Sequence, residues 1–379
     1  MRVLIFEPSL AGHHLEYLHH IYEGASERPD NEFIFAVPCQ EWVKMKDKCT
    51  WPESKNISFT MLDDSDCQNL GRGSMLAQTW RLSRYVRRIV FQCNADCVFM
   101  ISLAGAIPFL PLMLPSRIKL SGIIYKIYLR ESKGWISQFI DKIRYSIMAH
   151  NNSVNNVFIL NDPNSTQILN KTYHTNRFVT LPDPIPKVDV ARLVDLRSEL
   201  CIEPESDVFL HFGAMEERKG TLEILRALCI MNKNTLAEKT FIFAGCVGSS
   251  IKEVFYCLVE KARRAGANII VKDEFCSFDY LHSLCKIANC ILIPYLFTSL
   301  SSGALGYSAL HETPVIGPRN GLIGELIENN GLGLTIETID PEHIAEILTD
   351  FVRYEIKSQY VKQNSIENFI RTVFQKNDY

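Results

Sequence analysis

Four short segments carry side chains suited to holding an anion or moving a proton. In Phe212-Gly213-Ala214-Met215-Glu216-Glu217-Arg218-Lys219-Gly220 an apolar run ends at Gly213, and a polar loop delivers Arg218 and Lys219 to the start of a helix over 221–228. Cations there oppose the positive end of a helix dipole unless an anion is present. An anion would collect both cations and the free helix-terminal N–H groups. In Ser299-Leu300-Ser301-Ser302-Gly303-Ala304-Leu305-Gly306 a Ser/Gly turn follows the apolar run 291–295 and opens a helix over about 304–312. Ser301 or Ser302 can cap that helix, Gly303 admits close approach to the backbone, and the amides up to Ala304 form a phosphate cradle. In the segment 314–327 an apolar run passes into a Gly-rich loop, and Glu325 is read in the first turn of the next helix. In Ser9-Leu10-Ala11-Gly12-His13-His14 the turn allowed by Gly12 puts His13 and His14 after the first apolar run. Either is read as a general base toward an acceptor hydroxyl or as a hydrogen-bonded structural residue.

These segments sit between alternating strand-like and helix-like stretches. Val3–Phe6, 33–37, 97–101 and 157–160 are continuous apolar runs, and the pattern restarts after 181–187, which holds three prolines, with 208–213, 240–245, 269–271, 290–294 and 314–317. Continuous apolar strands separated by helices imply parallel sheets covered on both faces. The Pro-rich segment is read as an interdomain linker. The fold class is therefore α/β, with two doubly wound Rossmann-like domains.

The chain has 379 residues, 47% apolar and 22% charged, which excludes a disordered, coiled-coil or collagen-like protein. Its net charge of −3 argues against nucleic-acid binding by the whole chain, and no nucleic-acid-reading motif is found. Charge is unevenly placed: the stretch 70–150 holds twelve Lys and Arg against three acidic residues. Two segments within it are amphipathic at helical spacing. One carries Arg81, Arg84 and Arg88; the other sets Ile136, Phe139, Ile140 and Ile143 on one face, with Lys142 and Arg144 off it. They read as a docking surface for an anionic membrane or as packed helices with solvated basic faces. Asp63-Asp64-Ser65-Asp66 reads as a solvated turn, and no metal motif is found. The opening apolar run is too short for an export signal, no stretch reads as a membrane span, and the twelve cysteines show no CxxC pair. A cytoplasmic protein with free thiols, peripheral at most to the inner membrane face, is expected.

Taken together, the chain resembles the GT-B-fold glycosyltransferases, in particular retaining glycosyltransferase family 4, best over residues 205–335. "FGAMEERKG" resembles that family's Gly-Arg…Lys-Gly donor motif. "SLSSGALGYSALHETPVIGPRNGLIGELI" resembles its Glu-x7-Glu segment with the elements that follow. Lys219 is kept, whereas Ser299 and Tyr307 stand where the family has its two glutamates, and Ala214 where it has arginine. The resemblance implies two domains facing a cleft: residues 1–183 for the acceptor, 184–357 for the donor, and a terminal helical segment over 358–379 packing back on the first. It implies a metal-independent transfer from a nucleotide-diphosphate sugar to a glycan or lipid-linked acceptor in cell-surface polysaccharide synthesis, with no cofactor. Lys219 and Arg218 would be catalytic. Gly213, Ser301, Ser302, Gly303, Ala304, Tyr307 and Glu325 would bind the donor, and Gly12, His13 and His14 would line the acceptor side. Two alternatives remain open: a non-catalytic GT-B protein that binds a glycan or a partner, and a sugar-nucleotide 2-epimerase.

Overall fold

The computed structural model describes residues 1–379 other than Gly12, His13, Ser132, Lys133, Lys187 and Asp189. The expectations placed on Gly12 and His13 therefore lie outside the described residues. The chain forms two compact units, Met1–Pro184 with Ser365–Tyr379, and Ile185–Asn364.

In the first unit seven strands run parallel: β1 (Arg2–Phe6), β2 (Glu32–Pro38), β3 (Ile57–Leu62), β4 (Cys97–Met100), β5 (Lys119–Ile124), β6 (Val154–Leu160) and β7 (Phe178–Leu181), in the order β3-β2-β1-β4-β5-β6-β7. The central strands are apolar throughout because both faces are covered. Val3 of β1 pairs with Phe33 on one side and Cys97 on the other. Leu4 and Phe6 point into one core, and Val3 and Ile5 into the other.

The second unit repeats the plan with six parallel strands: β8 (Asp207–Phe212), β9 (Lys239–Ala244), β10 (Asn268–Lys272), β11 (Cys290–Leu292), β12 (Val315–Pro318) and β13 (Gly333–Ile336), in the order β10-β9-β8-β11-β12-β13. In both sheets the order reverses beside the first strand, between β1 and β4 and between β8 and β11. Open α/β sheets bind ligands outside the carboxyl ends of the strands at such a point.

The helical segment expected over 358–379 is two helices, Tyr360–Gln363 and Ile366–Asn377. Residues up to Asn364 stay with the second unit, and only the helix Ile366–Asn377 belongs to the first. It buries Phe369, Val373 and Phe374 with Val3, Ile5 and Phe33. The Asn377 side-chain oxygen accepts from Ser121 Oγ at 2.6 Å and Asn156 Nδ2 at 3.1 Å, which fixes the helix on β5 and β6.

Two other expectations change. Asp63 is the N-cap of a helix, Asp64–Leu70, its carboxylate accepting from the amides of Ser65 and Asp66, so this acidic run is not a turn. The helix Trp135–His150 does not bury its apolar face. Trp135 is 79% exposed and Phe139 62%, with Ile136, Ile140 and Ile143 exposed beside them, while Asp141, Tyr145, Met148 and Ala149 are buried.

Candidate functional site

In the second unit the switch point lies between Phe212 at the end of β8 and Leu292 at the end of β11. Gly213 follows β8 with φ +92°, and Lys219 Nζ lies 3.0 Å from the place a Cβ would occupy there. Lys219 ends the short helical turn Glu217–Lys219, and Gly220 (φ +67°) then opens the helix Thr221–Leu228. A Cβ on Gly220 would stand 2.0 Å from the Pro294 carbonyl oxygen, so only glycine lets this turn close on the loop after β11. The same loop is held from the other side, where the Leu296 amide donates to the Arg218 carbonyl at 2.9 Å. Lys219 Nζ therefore sits 5.3 Å above the ring of Tyr295. The Tyr295 hydroxyl is 3.5 Å from Ser302 Oγ.

Ser302, not Ser301, is the N-cap of the helix Gly303–His311, accepting from the Ala304 amide at 3.3 Å. Gly303 is exposed, with open space where its Cβ would be. Lys219, the Ser302–Ala304 amides and Gly213 thus converge around Tyr295, at a helix end whose N–H groups favour negative charge.

Arg218 does not join them: its guanidinium Nε pairs with Glu216 at 2.6 Å in an exposed position. Glu325 is the fifth residue of the helix Gly321–Asn330, not in its first turn. Ser299 is buried, and its Oγ has no hydrogen-bond partner. Tyr307 is held by aromatic contacts, stacked on His282 (4.4 Å, 30°) and edge-on to Phe212 (5.1 Å).

Two histidines that the sequence reading did not single out support this site. His211 Nδ1 lies 2.8 Å from the Leu292 carbonyl, and Nε2 lies 2.9 Å from Thr221 Oγ1. A carbonyl only accepts, so Nδ1 carries the proton. Burial pushes the imidazole down to about 4, with the Lys219 charge adding to it, so the ring is neutral and Nε2 accepts from Thr221. His211 thereby fastens β8 to β11 and to the helix behind Lys219. His282 Nδ1 is 2.8 Å from His311 Nε2, and burial lowers both, His282 to about 4.

At the switch point of the first unit, β1 ends against Glu7, a carboxylate only 1% exposed. Glu7 Oε1 accepts from the Ser9 amide at 3.0 Å and lies 3.3 Å from His14 Nδ1. Burial raises the Glu7 carboxyl, and Glu7 in turn raises the His14 imidazole. The His14 ring stacks on Tyr125, which follows β5 (5.7 Å, 12°). Tyr17 donates to Asp183, which follows β7, at 2.6 Å. Glu7 was visible in the sequence as a carboxylate closing an apolar run, but its pairing depends on a loop that the run does not specify.

The basic stretch forms an open groove of about 1050 Å³ lined by Asp66, Trp80, Arg81, Arg84, Arg87 and Arg88 among others. Arg84 lies over Trp80 at 4.6 Å, and Arg88 over Tyr85 at 4.7 Å. Among the described residues no helix is long and apolar enough to cross a membrane.

No protein-family model matches the chain, and no curated protein matches it. Solved structures do. An α,α-trehalose-phosphate synthase (UDP-forming) from Burkholderia xenovorans, in complex with glucose-6-phosphate, superposes with TM-score 0.67 at 11% identity, over 100% of this chain and 99% of its own. WaaG, a glycosyltransferase involved in lipopolysaccharide biosynthesis, gives 0.61 at 14% identity over 100% and 95%. A putative UDP-N-acetylglucosamine 2-epimerase from Listeria monocytogenes gives 0.57 at 12% identity over 99% and 93%. The fold is GT-B. At these identities the likeness carries the fold alone.

Proposed function

We propose that the chain is a glycosyltransferase that takes a sugar from a nucleotide-diphosphate donor, and that the donor diphosphate is held by Lys219 and the Ser302–Ala304 amides. The observation that carries this reading is the convergence of Lys219 Nζ and the open amino end of the helix Gly303–His311 on Tyr295, at the switch point of the second sheet. The UDP-forming activity of the similar trehalose-phosphate synthase supports a nucleotide sugar as donor.

The family resemblance supports transfer with retention and without metal. The bond from the anomeric carbon to the diphosphate oxygen breaks, and its electron pair leaves with the diphosphate. The acceptor oxygen bonds to the same face of the sugar, and its proton passes to the departing diphosphate. Lys219 and the helix-terminal amides stabilise the charge that grows there. Ser299 Oγ, buried without a partner, would donate to or accept from a sugar hydroxyl, and Tyr307 would take the place of the ribose-binding carboxylate. Gly213 and Glu325 are assigned to the donor side and Arg218 to the rim of the phosphate site. His14 is assigned to the acceptor side.

The acceptor is proposed to be a glycan or a lipid-linked glycan of cell-surface polysaccharide synthesis, met at an anionic membrane surface. The exposed apolar face of the helix Trp135–His150 and the excess of cations over 70–150 support that surface.

A second reading, a non-catalytic GT-B protein, is favoured by one observation. The resemblance places no carboxylate at Ser299 or Tyr307 and no arginine at Ala214, and Arg218 is engaged by Glu216. The epimerase reading requires several acid/base carboxylates, and no motif of the sequence supplies that set. A metal-free thermal-shift screen against UDP, GDP, CMP, ADP and dTDP and their sugars separates these readings. At a hundredfold excess over Kd, binding stabilises by about 2.7 kcal/mol. A selective shift followed by sugar transfer supports the transferase, whereas conversion of the donor sugar to its epimer supports the epimerase. No shift on folded protein favours the non-catalytic form.

A further inference from the structure

The helix His14–Ser26 carries a second polar cluster beyond its first turn. Glu16, His19, His20 and Glu23 recur at i, i+3, i+4 and i+7, so they form one stripe along the helix. One ligand atom from each of His19, His20 and Glu23 lies within 4.8 Å of the others.

The hydrogen bonds around these side chains leave one imidazole lone pair, that of His19, facing a carboxylate oxygen. His19 Nε2 lies 2.8 Å from the Thr50 carbonyl oxygen, which can only accept, so Nε2 holds the proton. In the neutral ring Nδ1 is then a bare lone pair, and it faces Glu23 Oε2 at 3.9 Å, acceptor against acceptor. His20 Nδ1 donates to the same oxygen at 3.3 Å, a proton that a bound cation would displace. The other nitrogen of His20 is turned to Glu16 Oε1 at 3.8 Å. It makes no hydrogen bond, although the residue is only 6% exposed. Both imidazoles thus aim Nδ1 at one carboxylate oxygen and turn Nε2 to a carbonyl or a carboxylate. Metal-binding histidines are oriented in this way.

We infer that His19, His20 and Glu23 form a site for a divalent cation of the zinc class, with the Thr50 carbonyl holding the His19 ring and Glu16 closing on His20 Nε2 from 3.8 Å when the ion binds. Two ligand atoms about 2.0–2.1 Å from a tetrahedral ion stand roughly 3.4 Å apart. The His20–Glu23 separation already matches, and a turn of the partly exposed His19 ring with a rotation of the half-exposed Glu23 side chain closes the remaining gaps, none above 4.8 Å. Two imidazoles and one carboxylate suit zinc better than magnesium or calcium, which take oxygen ligands. Water fills the fourth position. The ion would sit between the loop at Thr50 and the helix Ile366–Asn377, whose Phe369 meets the His20 ring edge-on at 6.1 Å. It would brace the first unit and take no part in transfer.

The test uses the full chain, stripped of metal and kept reduced. It is titrated with Zn2+ against a chromophoric chelator and with Co2+ followed by visible absorption. One saturable equivalent is expected, with a cobalt spectrum free of the thiolate charge-transfer band that the free cysteines would produce. His19→Gln and Glu23→Gln should each weaken binding at least ~10-fold, and Glu16→Gln about 10-fold by loosening the His20 ring. The metal-free circular dichroism of each variant should match the parent. His19 and Glu23 are partly exposed, so these variants keep the fold where a change at His20 would not. Absence of a saturable equivalent, a thiolate band, or unchanged affinity in both His19→Gln and Glu23→Gln would overturn the site.

Discussion

A lysine amine laid against a glycine backbone and over a tyrosine ring has few neutral partners, and Lys219 is such a group. If it holds the leaving diphosphate, Lys219→Ala should lower kcat/KM by ~10²–10³-fold with unchanged thermal unfolding. Arg218→Ala should cost less, because Glu216 already takes its guanidinium. Steady-state kinetics of the two variants side by side check the assignment, and equal effects would contradict it. The buried histidines set the pH response of stability. His211, His282 and His311 are held below their ordinary value of 6.5, so the unfolded chain binds protons that the folded chain refuses. The stabilisation from His211 and His282 is complete above about pH 6.5 and is lost as pH falls toward 4, by up to about 1.4 kcal/mol per pH unit for each ring, and His311 acts in the same direction. His14, raised by Glu7, works in the opposite direction: its contribution is complete below pH 6.5 and fades as pH rises through its folded value. Urea unfolding at pH 7 and pH 5 should show the loss, and His211→Leu should shrink it whatever its own stability at pH 7.

At the scale of elements, strand legibility follows burial. Central strands such as Val3–Phe6 and 208–213 are covered on both faces and read as unbroken apolar runs. β3, β7 and β13 escaped notice because they are edge strands, half exposed, with polar residues such as Ser58, Thr180 and Thr335 among the apolar ones. β5 escaped because Ser121 and Gly122 interrupt it: Ser121 serves the bond to Asn377, and a Cβ on Gly122 would stand 2.4 Å from the Met100 carbonyl oxygen. The two loops proposed to hold the diphosphate were legible because each follows such a run. Tyr295 and His211 were not, since each acquires its role from a residue distant in sequence, nor was the Glu7–His14 pair, which depends on the path of the loop between them. The helix Trp135–His150 had a legible period but not a legible direction, because periodicity shows that a face exists and not which way it turns. If that face docks on a bilayer, Phe139→Glu with Ile140→Glu should abolish co-sedimentation with anionic vesicles and leave donor binding intact. Retained sedimentation would remove the helix from the membrane contact.

For the molecule as a whole, each unit has its own cores and its own sheet with its own switch point, and the second unit is inserted into the chain of the first. Two separable stabilities follow. A fragment of residues 185–364 should fold alone and keep the nucleoside-diphosphate affinity of the full chain within a few-fold, measured by calorimetry. A chain ending at Asn364 should lose the cooperative unfolding of the first unit, since it lacks Phe369, Val373 and Phe374 from that core. Large buried aromatics of this kind cost about 3–5 kcal/mol each even when only truncated to alanine. Differential scanning calorimetry should show one transition lost and one retained.

The returning helix also sets an order of events on the ribosome. The strands of the first unit are synthesised before the second unit, yet their core is not complete until Ser365–Tyr379 emerge. The second unit is continuous in sequence and can close while the first still waits with the Phe374 contact surface at Gly24 and Phe33 uncovered. Until that segment appears, the bare apolar groove is the place where a holding chaperone would bind, and a stall or frameshift before Ser365 would leave a well-folded second unit tethered to an unfinished, aggregation-prone partner.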